Sequence, residues 1–164
     1  MLENYCADIE RQVREGMLRA ALPLSVALPA ICAALEEAQM NGTRERYLSW
    51  CASWFTPPKL HDGKLLEAER LYRLYAHRQR STRQVKEAGA DPTTVALAAL
   101  RRVRRARRER ALTRPRVRQP TSRIEAFQIA LIEALIAGSR RWYAESGAHS
   151  ALVQRNLGRL LITG

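Results

Sequence analysis

RIEAFQIALIEALIAGSRRWYAES, residues 123–146, decides the fold class. Its apolar positions Ile124, Phe127, Leu131, Ala134, Leu135 and Trp142 recur at the spacing that gathers side chains on one side of an α-helix. Ser122 followed by Glu125 is a capping-box pattern that sets the start, and Gly147 sets the stop. An apolar face this wide must be covered by other helices, so the stretch is expected at the centre of an all-α bundle.

The rest of the chain supplies the partners. Residues 3–21 carry Tyr5, Ile9, Val13, Met17 and then Leu18 or Ala21 on one face, which predicts a first helix over that whole range. Residues 24–38 are apolar almost all round and read as a core helix, with Pro29 expected to kink or restart it. Asn41-Gly42 breaks the chain, and Thr43 caps RERYLSWCASWF at 44–55. There Tyr47, Trp50, Trp54 and Phe55 form a face that reads as core, with a base-stacking platform as the alternative. Pro57-Pro58 and Asp62-Gly63 precede a helix at 64–80. It puts Leu65, Ala68, Leu71, Tyr72 and Tyr75 on one side and Arg70, Arg73, His77 and Arg80 on the other. Residues 150–162 close the chain as a short helix through Leu152, Val153, Asn156, Leu157 and Leu160. Strand alternation and internal repeats are missing. At 164 residues the chain suits one core, so a single domain spanning 1–164, a bundle of six or seven helices, is expected.

Charge divides the molecule sharply. The formal net charge is +12, and residues 64–123 hold eighteen basic against five acidic residues, while all other positions hold ten basic against eleven acidic. The densest part lies in an Arg-rich helix and linker at 92–121. Asp91 and Pro92 open a helix expected at about 92–112. Its apolar stripe, Ala96, Ala99, Leu100, Val103 and Ala106, is narrow and is surrounded by Arg101, Arg102, Arg104, Arg105, Arg107, Arg108 and Arg110. An extended linker follows with Arg114, Arg116 and Arg118 between Pro115 and Pro120. Guanidinium groups in such number cannot be buried unpaired. They call for water, acids or phosphates, and a near-neutral body with one concentrated cationic segment is suited to a polyanion.

Other chemistries find little support. The chain has no phosphate-binding glycine loop, no zinc-type cysteine and histidine cluster and no nucleophile turn, so no cofactor and no metal are expected. Cys6, Cys32 and Cys51 lie in apolar surroundings without CxxC spacing, which suits a reducing cytoplasm. The N-terminal residues are acidic where a signal peptide is basic. The apolar run at 20–35 contains Pro23 and Pro29 and falls short of a bilayer span, so no membrane partner is expected.

One constellation remains. Arginine can grip a phosphate through its planar donor fork, and a histidine can move a proton near neutral pH. Arg70 with His77 would therefore serve a metal-independent cleavage in which the RNA 2′-hydroxyl attacks its own phosphate. Arg70, six residues and His77 resemble the R-x4–6-H signature of the HEPN superfamily of small helical bundles. ALPLSVALPAICAALE at 21–36, RYLSWCASWF at 46–55, LYRLYAHRQRST at 71–82 and RRWYAESGAHSALVQRNLGRLL at 140–161 are similar to uncharacterised bacterial helical proteins of HEPN-like organisation. The resemblance implies His77 as general acid and base, Arg70 as phosphate ligand, Arg73 and Arg80 as auxiliary charges, and a homodimer. Leu71 departs from it, since a polar residue often follows the arginine in the nucleases.

Two functions are thus expected. The first is nucleic-acid binding, to RNA ahead of DNA, with Arg73, Arg80 and the arginines from Arg101 to Arg118 on phosphates. Its setting would be a subunit of a bacterial ribonucleoprotein or defence assembly. The second is a HEPN-like ribonuclease or toxin acting through Arg70 and His77.

Overall fold

A glycine settles where the first helix ends. The computed structural model describes residues 2–40, 42–59, 65–83 and 122–162, with side chains described to 77 in the third of these stretches and to 159 in the last. Helix α1 spans Leu2–Arg14 and ends where Gly16 takes φ 74°. The Met17 amide donates to the Gln12 carbonyl and the Gly16 amide to that of Val13, the paired bonds of a Schellman stop. The helix expected over 3–21 is therefore two helices. A left-handed glycine turns the chain, and α2 begins at Leu18, not in the mid-twenties.

Among the described residues six α-helices pack together: α1, α2 (Leu18–Leu35), α3 (Arg44–Trp54), α4 (Ala68–Arg83), α5 (Arg123–Glu145) and α6 (Ala151–Ile162), with a 3-10 turn at Gly147–His149 before the last. The helix expected at 92–112 and its linker lie outside the described residues. Among the described residues the sole β-type pairing is an isolated antiparallel bridge between Lys59 and Leu65.

Helix α2, rather than the expected 123–146, is the hub, because it packs against each of the other five helices. That follows from its lack of a polar face. Leu24, Val26, Ala27, Leu28, Ile31, Cys32, Ala33, Ala34 and Leu35 are all buried. Pro29 neither ends nor restarts it, and α2 runs through both Pro23 and Pro29. Pro29 removes the donor that the Ser25 carbonyl would use. Nearby, the Tyr5 hydroxyl donates to the Leu24 carbonyl and the Tyr47 hydroxyl to the Val26 carbonyl, each at 3.0 Å. At its far end Asn156 donates to the carbonyls of Leu35, at 3.0 Å, and Glu37, at 2.6 Å, occupying acceptors that a helix C-terminus leaves open. By length and composition α2 could cross a membrane, yet 67% of its residues are buried among the other helices.

The remaining helices start where their caps dictate. Thr43 accepts the Arg46 amide at 3.4 Å to open α3, and Ser122 accepts the Glu125 amide at 3.1 Å to open α5, as expected of these residue types. The α3 aromatics are core: Tyr47, Trp50 and Phe55 are buried and Trp54 is partly so. On α5, Leu131, Leu135 and Trp142 are buried and Phe127 and Ala134 pack partly, but Ile124 is 71% exposed. It sits two residues past the cap, before α5 meets the bundle. Leu65 precedes α4 and is also exposed.

Two contacts fix α5. Gly138 faces α3 so closely that a Cβ there would lie 2.6 Å from the Trp54 carbonyl oxygen. One residue beyond the half-buried Arg140, Arg141 donates to that same carbonyl at 3.0 Å and lies over the Trp54 ring. Arg140 reaches the other way to clasp α1, donating to Glu3 through Nε at 3.0 Å and to Glu10 through Nη1 at 2.6 Å. This pairing holds the Glu3 carboxyl below the usual carboxylate range, the hydrogen bond from Arg140 being the main cause.

Candidate nucleic-acid interface

Helix α4 is held by its aromatic side. Leu71 is fully buried, and Ala68, Tyr72 and Tyr75 pack partly against the core. Tyr75 stacks on Tyr47 of α3 with ring centroids 5.3 Å apart, and Tyr72 meets the same ring edge-on at 5.2 Å. Such aromatic pairs add attraction beyond their buried area. The opposite side is thereby turned outward, and Arg70, Arg73 and His77 are all exposed.

Arg70 and His77 share that outward side because seven residues make almost two full turns, a rise of about 10.5 Å. The helix thus brings an arginine and a histidine together on one accessible strip. Leu74, 49% exposed, is the apolar residue among them. Arg80 lies in the last turns of α4, and its side chain is outside the described residues. So are Arg101, Arg102, Arg104, Arg105, Arg107, Arg108, Arg110, Arg114, Arg116 and Arg118.

The strip also contains an acid, Glu69. Glu69 accepts from Arg44 of α3 at 2.8 Å through one carboxylate oxygen, and its other oxygen lies 3.8 Å from Nε of Arg73. The Glu69 to Arg73 spacing of four residues was visible in the sequence. Arg44, on a different helix, could be found only in three dimensions.

The body's carboxylates are used in the same way elsewhere. Glu3 and Glu10 hold Arg140, Asp8 holds Arg11, and Glu37 holds Arg46. Glu36 takes the Trp142 indole N–H at 2.6 Å. Even if each of the 16 acidic residues neutralised one cation, a net +12 would remain. The folded body cannot supply the missing counter-charge.

The thiols lie apart from this chemistry. Cys6, Cys32 and Cys51 are free and buried, and burial pushes Cys6 and Cys51 up to about 12. They are therefore protonated and poorly nucleophilic near neutral pH. Among the described residues no group of three or more metal-ligating side chains is gathered.

Comparison with known proteins gave no matching family model, no similar curated protein and no similar solved structure.

Proposed function

We propose that the chain binds nucleic acid, RNA ahead of DNA, through phosphate contacts centred on the arginines from Arg101 to Arg118 and extended by Arg73 and Arg80. One observation carries the reading: a surplus of twelve positive charges, concentrated at 64–123, on a body whose own carboxylates already hold its own arginines. Polyphosphate backbones supply the matching charge, and release of their condensed counterions favours binding whatever the base sequence. The setting that fits is a cytoplasmic ribonucleoprotein or bacterial defence assembly, in which other protein subunits or a second copy of the chain take part.

The test is direct. Protein purified without nuclease should carry nucleic acid that nuclease treatment removes, and its affinity for any oligonucleotide should fall steeply with salt. Replacing Arg101, Arg104, Arg105 and Arg108 together by glutamine should weaken RNA and DNA binding alike. Unaltered binding by that variant would refute the assignment.

A second reading has its own support in the shared exposed strip of Arg70 and His77 on α4. In a HEPN-like ribonuclease, Arg70 would hold the scissile phosphate while His77 moves the proton of the 2′-hydroxyl. Labelled RNA incubated in EDTA should then be cleaved by the wild type and spared by His77→Ala. RNA left intact by both would leave binding alone.

A further inference from the structure

The seam between α3 and α4 carries more than a surface ion pair. Arg44, in the first turn of α3, and Arg73, in α4, approach the two oxygens of one carboxylate, that of Glu69, from two different helices. Both guanidinium groups keep much of their surface in water, 48% and 77% of the side chain, and Glu69 keeps 34%. A phosphodiester has the same charge as a carboxylate and likewise offers two oxygens to arginine donors. Exposed ion pairs of this kind are weak and cheaply exchanged.

We propose that Arg44 and Arg73 form a phosphate-binding fork which Glu69 occupies in the free protein and which an incoming nucleic-acid phosphate takes over. This rests on the nucleic-acid reading above and adds Arg44, on a helix outside the cationic segment, to the contact surface. Glu69 acts as an internal competitor. Once displaced, it hydrates but stays close to the phosphate, and the like charge lowers affinity. The fork therefore raises the threshold for binding and does not drive it. It also lies on the outward strip, four residues before Arg73 and beside Arg70, so a strand tracking that strip from Arg70 to His77 passes it.

Titration of a short fluorescein-labelled single-stranded RNA at low salt tests this, using the full chain and four variants. Glu69→Gln frees the fork, and Glu145→Gln removes the same charge from the exposed end of α5. The other two are Arg44→Gln and the double variant carrying both Glu69→Gln and Arg44→Gln. Glu69→Gln should bind roughly fivefold tighter than Glu145→Gln, the equivalent of relieving one like-charge contact at about 4 Å with water-like screening. Its plot of log affinity against log salt should keep the slope of Glu145→Gln, because the same phosphate sits in the fork whether or not Glu69 has to leave it, whereas Arg44→Gln should flatten the plot by up to about 0.7, the increment for one phosphate on a single strand. Arg44→Gln should weaken binding, and the double variant should lose the gain in affinity. Equal affinities for Glu69→Gln and Glu145→Gln would overturn the fork while leaving nucleic-acid binding in place. No binding by any of the proteins would overturn both.

Discussion

Replacing Gly138 by alanine sets two known effects against each other. In a helix interior alanine is favoured over glycine by about 1 kcal/mol. The new methyl, however, would sit 2.6 Å from the Trp54 carbonyl oxygen and 3.3 Å from Cη2 of Trp50. The first neighbour is backbone, pinned by Arg141 at 3.0 Å, so it cannot swing aside as a flexible side chain could. Relief requires α5 to move off α3, and a gap of roughly 0.5–1 Å forfeits a quarter to a half of each contact's attraction. Overpacking of this kind costs about 1–3 kcal/mol, and the net expectation is a loss of roughly 1–2 kcal/mol after the helix gain is subtracted. Gly158, in the middle of α6, is the control, since a Cβ there meets nothing within 4 Å. Gly158→Ala should stabilise by about 0.5–1 kcal/mol. Urea unfolding followed by the fluorescence of Trp50, Trp54 and Trp142 measures both. The two midpoints should move in opposite directions from the wild type. A Gly138→Ala protein as stable as Gly158→Ala would refute the close approach of α5 to α3.

Arg140→Gln should cost about 1–2 kcal/mol, because it leaves Glu3 and Glu10 without their shared cation. It should also alter the acid limb. The folded Glu3 carboxyl titrates below its unfolded value, so its contribution is present above the unfolded pKa and is lost as pH falls through the folded one. Wild-type stability should therefore drop more steeply than that of Arg140→Gln at acid pH, and parallel curves from denaturant titrations at several pH values would contradict the clasp. The three thiols should resist alkylation by iodoacetamide in the native state near neutral pH and react once urea unfolds the chain, as mass spectrometry can count. Rapid native labelling of Cys6 or Cys51 would mean that the helices covering them open readily.

Local features proved readable from sequence because their causes are local. Thr43 and Ser122 cap the helices they were expected to cap, and the α3 aromatics face inward as their spacing demands. The fold departs from the pattern where one residue competes with its neighbours. The apolar periodicity through Met17 and Leu18 continued past Gly16, and the left-handed turn at that glycine outweighed it. Pro29 has a strong local preference against a helix interior, but burial of α2 on every side overrode it. Ile124 fitted the α5 stripe by number and lay outside the bundle because helix length, not periodicity, decides where packing begins. The candidate site divides similarly. The strip of Arg70, Arg73 and His77 follows from helical geometry alone, whereas the meeting of Arg44 with Glu69 depends on how α3 crosses α4. The clasp of Arg140 on Glu3 and Glu10 joins positions more than a hundred residues apart, and no sequence spacing announces it.

Asn156 closes the end of α2 from α6, and Arg140 reaches back to α1. A ribosome making this protein therefore releases the hub helix long before the groups that finish it exist. The C-terminal end of α2 must wait for Asn156, 121 residues after Leu35, and its face toward α5 stays uncovered until residues 123–145 have emerged. Contacts between such distant positions slow folding, and in the interval an uncovered apolar helix is prone to self-association. Synthesis of this chain should accordingly depend on chaperones that bind short apolar segments, and truncation before Asn156 should yield insoluble product.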